Sequence, residues 1–184
     1  MKNYQTIQKK NWTGRSDSIE KERIHQYIEC LSLLSSSSKI NSPGISFLGF
    51  CSDEGIRRNK GQLGARKGPD SIRNSLKNLC LPEDWNITLF DYGNISCLEH
   101  NLEQSQSDLA EAVYSILKTK SLPIILGGGH ETAWGHFQGI SRFLPKSKKI
   151  ALINIDAHLD LRPLNKNKQG SSGTPFLQIA KLCK

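Results

Sequence analysis

The sequence predicts an α/β fold, a mostly parallel sheet flanked by helices in three layers, and two observations carry that reading. Short apolar runs lie at 45–50, 87–91, 122–126 and 150–155, each with the length and composition of a strand buried on both faces. Between them lie stretches with helical spacing at 69–79, 101–119 and 132–143. Strands that alternate with helices connect by right-handed crossovers, which gives parallel strands covered by helices.

Taken in order, residues 1–16 are polar and without periodicity, so they read as a surface arm ahead of a single domain over 17–184. Ser16 or Asp17 then offers an N-cap, and Ile24, Ile28 and Leu31 recur at i, i+4 and i+7. That spacing predicts an amphipathic helix over 18–34. The serines from Ser35 to Ser38 end it and are too few to be an interdomain linker. After the strand at 45–50, Pro69 stands at an N1-like position and opens the helix 69–79, where its missing N–H costs nothing. The remaining strands and helices follow alternately, and a last helix begins near Thr174. The sequence contains no internal repeat.

With 184 residues the chain has the size of one globular domain. Its formal charge of +8 is concentrated late: residues 142–184 hold nine Lys/Arg against Asp156 and Asp160 alone. The basic residues form no long run and are not interleaved with aromatics, so nucleic acid is not expected as a partner. Cys30, Cys51, Cys80, Cys97 and Cys183 are odd in number and widely spaced, as reduced thiols of a cytoplasmic protein are. Residues 1–15 lack the apolar core of a signal peptide, and no segment approaches the ~18 apolar residues of a membrane span. A soluble cytoplasmic protein with no membrane partner is expected.

In parallel sheets, ligands sit beyond the carboxyl ends of the strands. The polar, Gly-rich and His-rich segments 51–68, 127–131 and 156–173 fall there. Asp156, His158 and Asp160 follow a strand at i, i+2 and i+4, and on an extended backbone all three side chains project to one side. An imidazole between two carboxylates suits a divalent cation such as manganese. The same residues also suit an ordinary polar turn. Gly127-Gly128-Gly129-His130-Glu131 brings a second histidine to a neighbouring strand end. Thr132 stands where a dinucleotide-binding loop needs its third glycine, and Trp134 where a zinc-protease helix needs its second histidine, so both motifs are excluded. His136, within the following helix, reads as structural.

The pairing of Gly-Gly-Gly-His-Glu with Asp-Ala-His-x-Asp resembles the signatures of the ureohydrolases, the arginase and agmatinase family, which use two manganese ions to activate water. The resemblance implies an arginase-like α/β/α fold, with His130 and Asp160 on one manganese, His158 on the other, and Asp156 bridging them. Attack would fall on an amidine-like carbon. Three further segments resemble the formimidoylglutamases of that family. They are Trp12 to Asp17 with Arg23, His25 and Gln26; the loop from Gly49 to Gly61, continued through Gly64-Ala65, Gly68-Pro69-Asp70 and Ile72-Arg73; and Ser171-Ser172-Gly173-Thr174-Pro175-Phe176.

Ser172 stands where arginases and agmatinases usually carry a proton-shuttling histidine, which fits a formimino rather than a guanidino substrate. The implied reaction is hydrolysis of N-formimino-L-glutamate to L-glutamate and formamide, a step of histidine breakdown. Its small-molecule substrate carries two carboxylates, which call for cationic and amide partners; Arg57, Arg58 and Asn59, with Ser172 and Gly173, are the candidates. The competing expectation is that this loop packs on the sheet edge with its arginines solvated. Gln62 departs from the arginine expected in the resembling loop.

The resemblance covers Trp12 to Ile179 and stops short of the family's later Ser-x-Asp-x-Asp strand, which supplies two more aspartates to the metals. The reading is therefore of a truncated, amino-terminal part of a ureohydrolase domain. At most one manganese is expected to bind tightly, because two carboxylates face four positive charges. By lineage the chain reads as a hydrolase, with little activity expected of these residues alone. The alternatives are an agmatinase-like or guanidinobutyrase-like ureohydrolase and a non-catalytic remnant. A homo-oligomer is compatible with a full-length form.

Overall fold

The computed structural model describes residues 1–17, 20–35 and 43–182. Its sheet is built from β1 (Tyr4–Gln5), β2 (Glu29–Cys30), β3 (Gly44–Cys51), β4 (Thr88–Ser96) and β5 (Ser121–Leu126). The order is β1-β4-β3-β5, with β2 also on β4. β4, β3 and β5 run parallel, with Ile45 opposite both Leu89 and Leu122. β1 pairs antiparallel with the carboxyl half of β4, and β2 parallel with its middle. Three of the four expected strands thus form where the apolar runs lie, inside a mostly parallel sheet flanked by helices.

The helices are α1 (Ile24–Tyr27), α2 (Glu54–Arg58), α3 (Gly68–Leu76), α4 (Leu102–Lys118), α5 (Thr132–Phe143) and α6 (Pro175–Leu182). α3, α4 and α5 match the expected spans closely, and Pro69 sits in the first turn of α3. Asn101 caps α4 by accepting the Gln104 N–H at 3.1 Å. One face of α4, with Leu102, Leu109, Ala112, Val113 and Ile116, packs on Leu48, Phe50, Phe90, Tyr92 and Ile95 of the sheet. α5 lies alongside α4 and packs on the same cluster, close enough that a Cβ at Gly139 would stand 2.6 Å from Val113 Cβ. His136 is half-buried in this layer with its Nε2 shielded from solvent, and burial lowers its pKa.

Two expectations fail in the first thirty residues. The helix expected over 18–34 shrinks to α1, because tertiary pairing takes the flanking residues: Arg23 bridges to Cys80, Leu81 N–H donates to Glu22 O at 2.7 Å, and Glu29–Cys30 joins β4. Residues 18–19 of that span, and most of the serine run, lie outside the described residues. Residues 1–16 are mostly exposed, but they are not a loose arm. β1 lies on the sheet, and Trp12 is buried, with its indole N–H donating to Asp91 Oδ2 at 2.8 Å.

Asp91 explains that burial. It is a fully buried carboxylate in the middle of β4, and such a charge persists in a core only when its lone pairs are engaged. Arg73 of α3 reaches it with two N–H groups at 2.7 and 2.9 Å, the Gly93 N–H donates to it at 2.8 Å, and Trp12 completes the set.

The third failure is at the other side of the sheet. Residues 150–155 form no strand. Ile153 and Ile155 are 89% and 97% exposed, and β5 has β3 on one side and no strand on the other among the described residues. The run has strand composition, but a strand exists only with a partner to accept its main-chain hydrogen bonds. Among the described residues no helix is long and apolar enough to cross a membrane. Cys30, Cys51, Cys80 and Cys97 are free thiols, as expected, and Cys183 lies outside the described residues.

Candidate metal centre

The first half of the site is a turn that starts where β5 ends. Gly127 to Gly129 lead into His130, Glu131 and then α5. A Cβ at Gly128 would stand 2.0 Å from Ser52 O, so only glycine lets this turn lie on the end of β3. The Gly129 N–H donates to Ser52 O at 2.9 Å, and Thr132 Oγ1 donates to Gly129 O at 2.6 Å. The His130 ring is braced from the side by Phe176 of α6, edge to face at 5.5 Å between centroids. α6 is itself anchored by Ser171 and Thr174, whose main-chain and hydroxyl groups bond to each other, with Thr174 Oγ1 donating on to Gln178.

The second half is the segment 156–160. Asp160 Oδ2 lies 2.6 Å and Asp156 Oδ2 lies 3.0 Å from His130 Nδ1. One ligand atom from each of His130, Asp156 and Asp160 falls within 4.8 Å of the others. His130 Nδ1 is shielded from solvent and makes no hydrogen bond, although the two carboxylates are this close. A nitrogen lone pair and two carboxylate oxygens converging without hydrogen bonds between them is the donor arrangement a divalent cation completes. The residues present therefore fit a manganese ion. The carboxyl of Asp156 is held below the usual carboxylate range by the His158 N–H, which donates to it at 2.8 Å, and by the His130 and His158 rings. It stays ionised and ready to ligate near neutral pH.

His158 stands apart from this group. Its ring is largely exposed, with Nδ1 3.5 Å from Asp156 Oδ1. The expectation of three side chains on one face assumed an extended backbone, and the backbone here is not extended. Asp156 accepts the N–H two residues on, a tight turn, and Asp160 takes a left-handed conformation at φ 46°. The turn brings Asp156 and Asp160 to His130 and leaves His158 outward.

The candidate substrate residues divide as well. Glu54 is buried and takes two N–H groups from Arg57 at 2.7 and 2.6 Å and one from Arg58 at 2.8 Å, with His100 Nδ1 at 2.8 Å. Burial works against its ionisation, but the hydrogen bonds from Arg57, His100 and Arg58 outweigh that and bring its pKa down to about 2. Arg58 also bonds both oxygens of Glu103 and the carbonyls of Gly170 and His100. Arg58 thus fastens the 51–68 loop to α4 and to the 156–173 loop, while Arg57 remains half exposed.

Asn59 meets a cation the sequence reading passed over: its Oδ1 accepts from Arg162 at 2.9 Å, and Arg162 N–H donates to Gly173 O at 2.9 Å. Arg58, Asn59, Arg162, Gly170 and Ser171 line one small cavity of about 140 Å³. Ser172 lies alongside, its N–H close to Gly55. A signal for Arg162 was present, since it continues the step from Asp156 through His158 and Asp160 by two more residues. Glu131 was also passed over. It is fully buried, and Ser52 Oγ and Gly55 N–H both donate to its Oε1 at 2.9 Å. Burial pushes its carboxyl up.

A mostly parallel α/β sheet, with an imidazole and two carboxylates converging beyond the end of β5, carries a donor cluster that could take a divalent cation beside a polar loop. The chain belongs to the arginase family, whose family model matches residues 43–184. It is 41% identical to a formimidoylglutamase of Lysinibacillus sphaericus over 179 residues, covering 96% of this chain and 55% of that protein. It is 43% identical to one of Clostridium tetani over 192 residues, covering 99% of this chain and 56% of that protein. Among solved structures it is similar to a Trypanosoma cruzi formiminoglutamase with Mn2+, at a TM-score of 0.69 and 31% identity, over 80% of this chain and 50% of that one. A Bacillus subtilis formimidoylglutamase, at 21% identity and a TM-score of 0.69 over 95% of this chain and 54% of that one, shares the fold. The chain spans about half the length of the curated relatives it matches.

Proposed function

We propose that the chain carries the first half of a formimidoylglutamase site, whose reaction is the hydrolysis of N-formimino-L-glutamate to L-glutamate and formamide in cytoplasmic histidine catabolism. The observation that carries this reading is the convergence of His130, Asp156 and Asp160 within 4.8 Å, in a chain about 40% identical to formimidoylglutamases over nearly its whole length. His130 and Asp160 would hold one manganese with Asp156 beside them, and His158, turned outward, stands outside this cluster. Manganese, when bound, lowers the pKa of water and polarises the amidine.

The protein's own residues do the rest. Arg162, with Asn59 at its guanidinium, offers the cationic and amide pair a substrate carboxylate needs. The half-exposed Arg57 offers a second cation. Ser172 and Gly173 lie close against Gly55 and Asn59 of the 51–68 loop. Arg58 is a fastener of that loop, engaged on every side.

Among the described residues a single cluster converges, so the chain by itself is expected to bind one manganese and turn over poorly. Metal analysis after dialysis against manganese tests this: one ion per chain is expected, lost in His130→Ala. Two tightly held ions, or none, would overturn it. Comparing formamide release from N-formimino-L-glutamate with urea release from agmatine tests the substrate class, and urea as the main product would move the chain to the guanidine-hydrolysing branch.

A further inference from the structure

We infer that Glu131 is the positioning residue of the metal centre, a buried carboxyl that locks the His130-bearing turn to the start of the 51–68 loop. The inference rests on the metal reading above and deepens it.

His130 sits on a turn whose three preceding glycines contribute no side chains to hold it. The next side chain, Glu131, points inward, fully buried, and its Oε1 receives both the Ser52 hydroxyl and the Gly55 N–H at 2.9 Å. Ser52 Oγ in turn accepts the Glu54 N–H at 3.2 Å. Gln106 of α4 fixes the same residue from the other end, donating to Glu131 O at 2.8 Å. A single side chain therefore ties together the carboxyl ends of β3 and β5 and the first turn of α2. Glu131 Oε2 is buried and has no hydrogen-bond partner. A group retained in the core with one oxygen unpaired is there for what its other oxygen holds. Glu131 touches neither ligand atom nor substrate, so it acts on the site only through the position of His130 and of Gly55.

The test compares Glu131→Ala and Glu131→Gln with the natural chain, by manganese affinity and by hydrogen exchange at the Gly55 and Gly129 amides. The Gln side chain keeps an oxygen where Oε1 stands. For Ala we expect manganese binding weaker by about 10- to 100-fold, the usual effect of losing a group that orients a ligand, with faster exchange at Gly55. For Gln most of the affinity should return. A dissociation constant unchanged in Glu131→Ala, in a natural chain that binds manganese, would overturn the inference and leave the metal reading standing. A natural chain that binds no manganese would overturn the metal reading, and Gly55 exchange then decides for Glu131 alone, with unchanged exchange refuting it. If Glu131→Ala does not fold, Ser52→Ala removes one of the two donors and carries the test: affinity about two- to tenfold weaker is expected from one lost hydrogen bond, and an unchanged value would overturn the inference.

Discussion

The two sides of the sheet treat buried and exposed groups in opposite ways. On the β4 side, a charge sits where apolar residues are the rule, and every neighbour serves it. Asp91 is enclosed by Arg73, Gly93 and Trp12, and the last of these draws the amino-terminal residues onto the sheet. On the β5 side, apolar residues sit where polar ones are the rule, with Ile153 and Ile155 turned to solvent. Yet the aspartates just beyond them reach His130. The His130, Asp156 and Asp160 cluster therefore converges through the turns on its two sides, with no paired strand at 150–155 beneath it. Burial decides stability on one side; local turns decide chemistry on the other.

The sharpest way to break this contrast is to remove one partner of the buried pair. Arg73→Ala should destabilise the chain by about 3–5 kcal/mol, the cost of leaving a buried charge uncompensated, read by urea denaturation. That is much of the ~5–15 kcal/mol a domain has in total. Trp12→Phe keeps most of the apolar volume and deletes the indole N–H. A loss of about 1.5–3 kcal/mol is expected for a hydrogen bond to a charged acceptor, and an unchanged denaturation midpoint would show that the arm is not held through Asp91.

The Glu54 cluster gives a smaller, pH-dependent effect. Its carboxyl is brought from an ordinary 4.5 down to about 2 in the folded chain. A depressed carboxylate stabilises the fold above its unfolded value and loses that contribution as pH falls from about 4.5 toward 2. Melting temperature followed from pH 6 to 2.5 should fall more steeply in the natural chain than in Glu54→Gln, and parallel curves would show that Arg57, Arg58 and His100 do not hold this carboxylate. Smallest of all is the exposed side. Replacing Ile153 and Ile155 together by Asp should change stability by no more than about 0.5 kcal/mol. Light scattering should meanwhile show less self-association, because an exposed apolar run beside an unpaired strand edge is what recruits other chains.

The parts legible in the sequence are those whose signal is local. The runs at 45–50, 87–91 and 122–126 fold as strands, and the helical spacings give α4 and α5 to within a residue and α3 to within three. The run at 150–155 has the same composition, but pairing is a property of the neighbour, which no window of sequence contains. Ile24, Ile28 and Leu31 keep helical spacing, yet β4 and the Cys80 segment compete for the residues around them and win. Trp12 was readable only together with Asp91, seventy-nine residues away. At the site, residue types pointed to His130, Asp156 and Asp160, which converge, while the turn at 156–160 with its left-handed Asp160, in which His158 faces outward, left no mark in the spacing. Arg162 and Glu131 adjoin residues that were noticed, and each needed the tertiary fold to show what it meets.

The unpaired stretch at 150–155 also bears on how long the chain lasts in a cell. Proteases cut where backbone is accessible and outside regular structure, and such a chain is degraded from that point without first unfolding globally. A cut there leaves β1 to β5 and the Asp91 network on one fragment, and Asp156 and Asp160 on the other. A cut in this exposed stretch thus parts His130 from Asp156 and Asp160, so that quality control would break up the candidate cluster before it dismantles the fold.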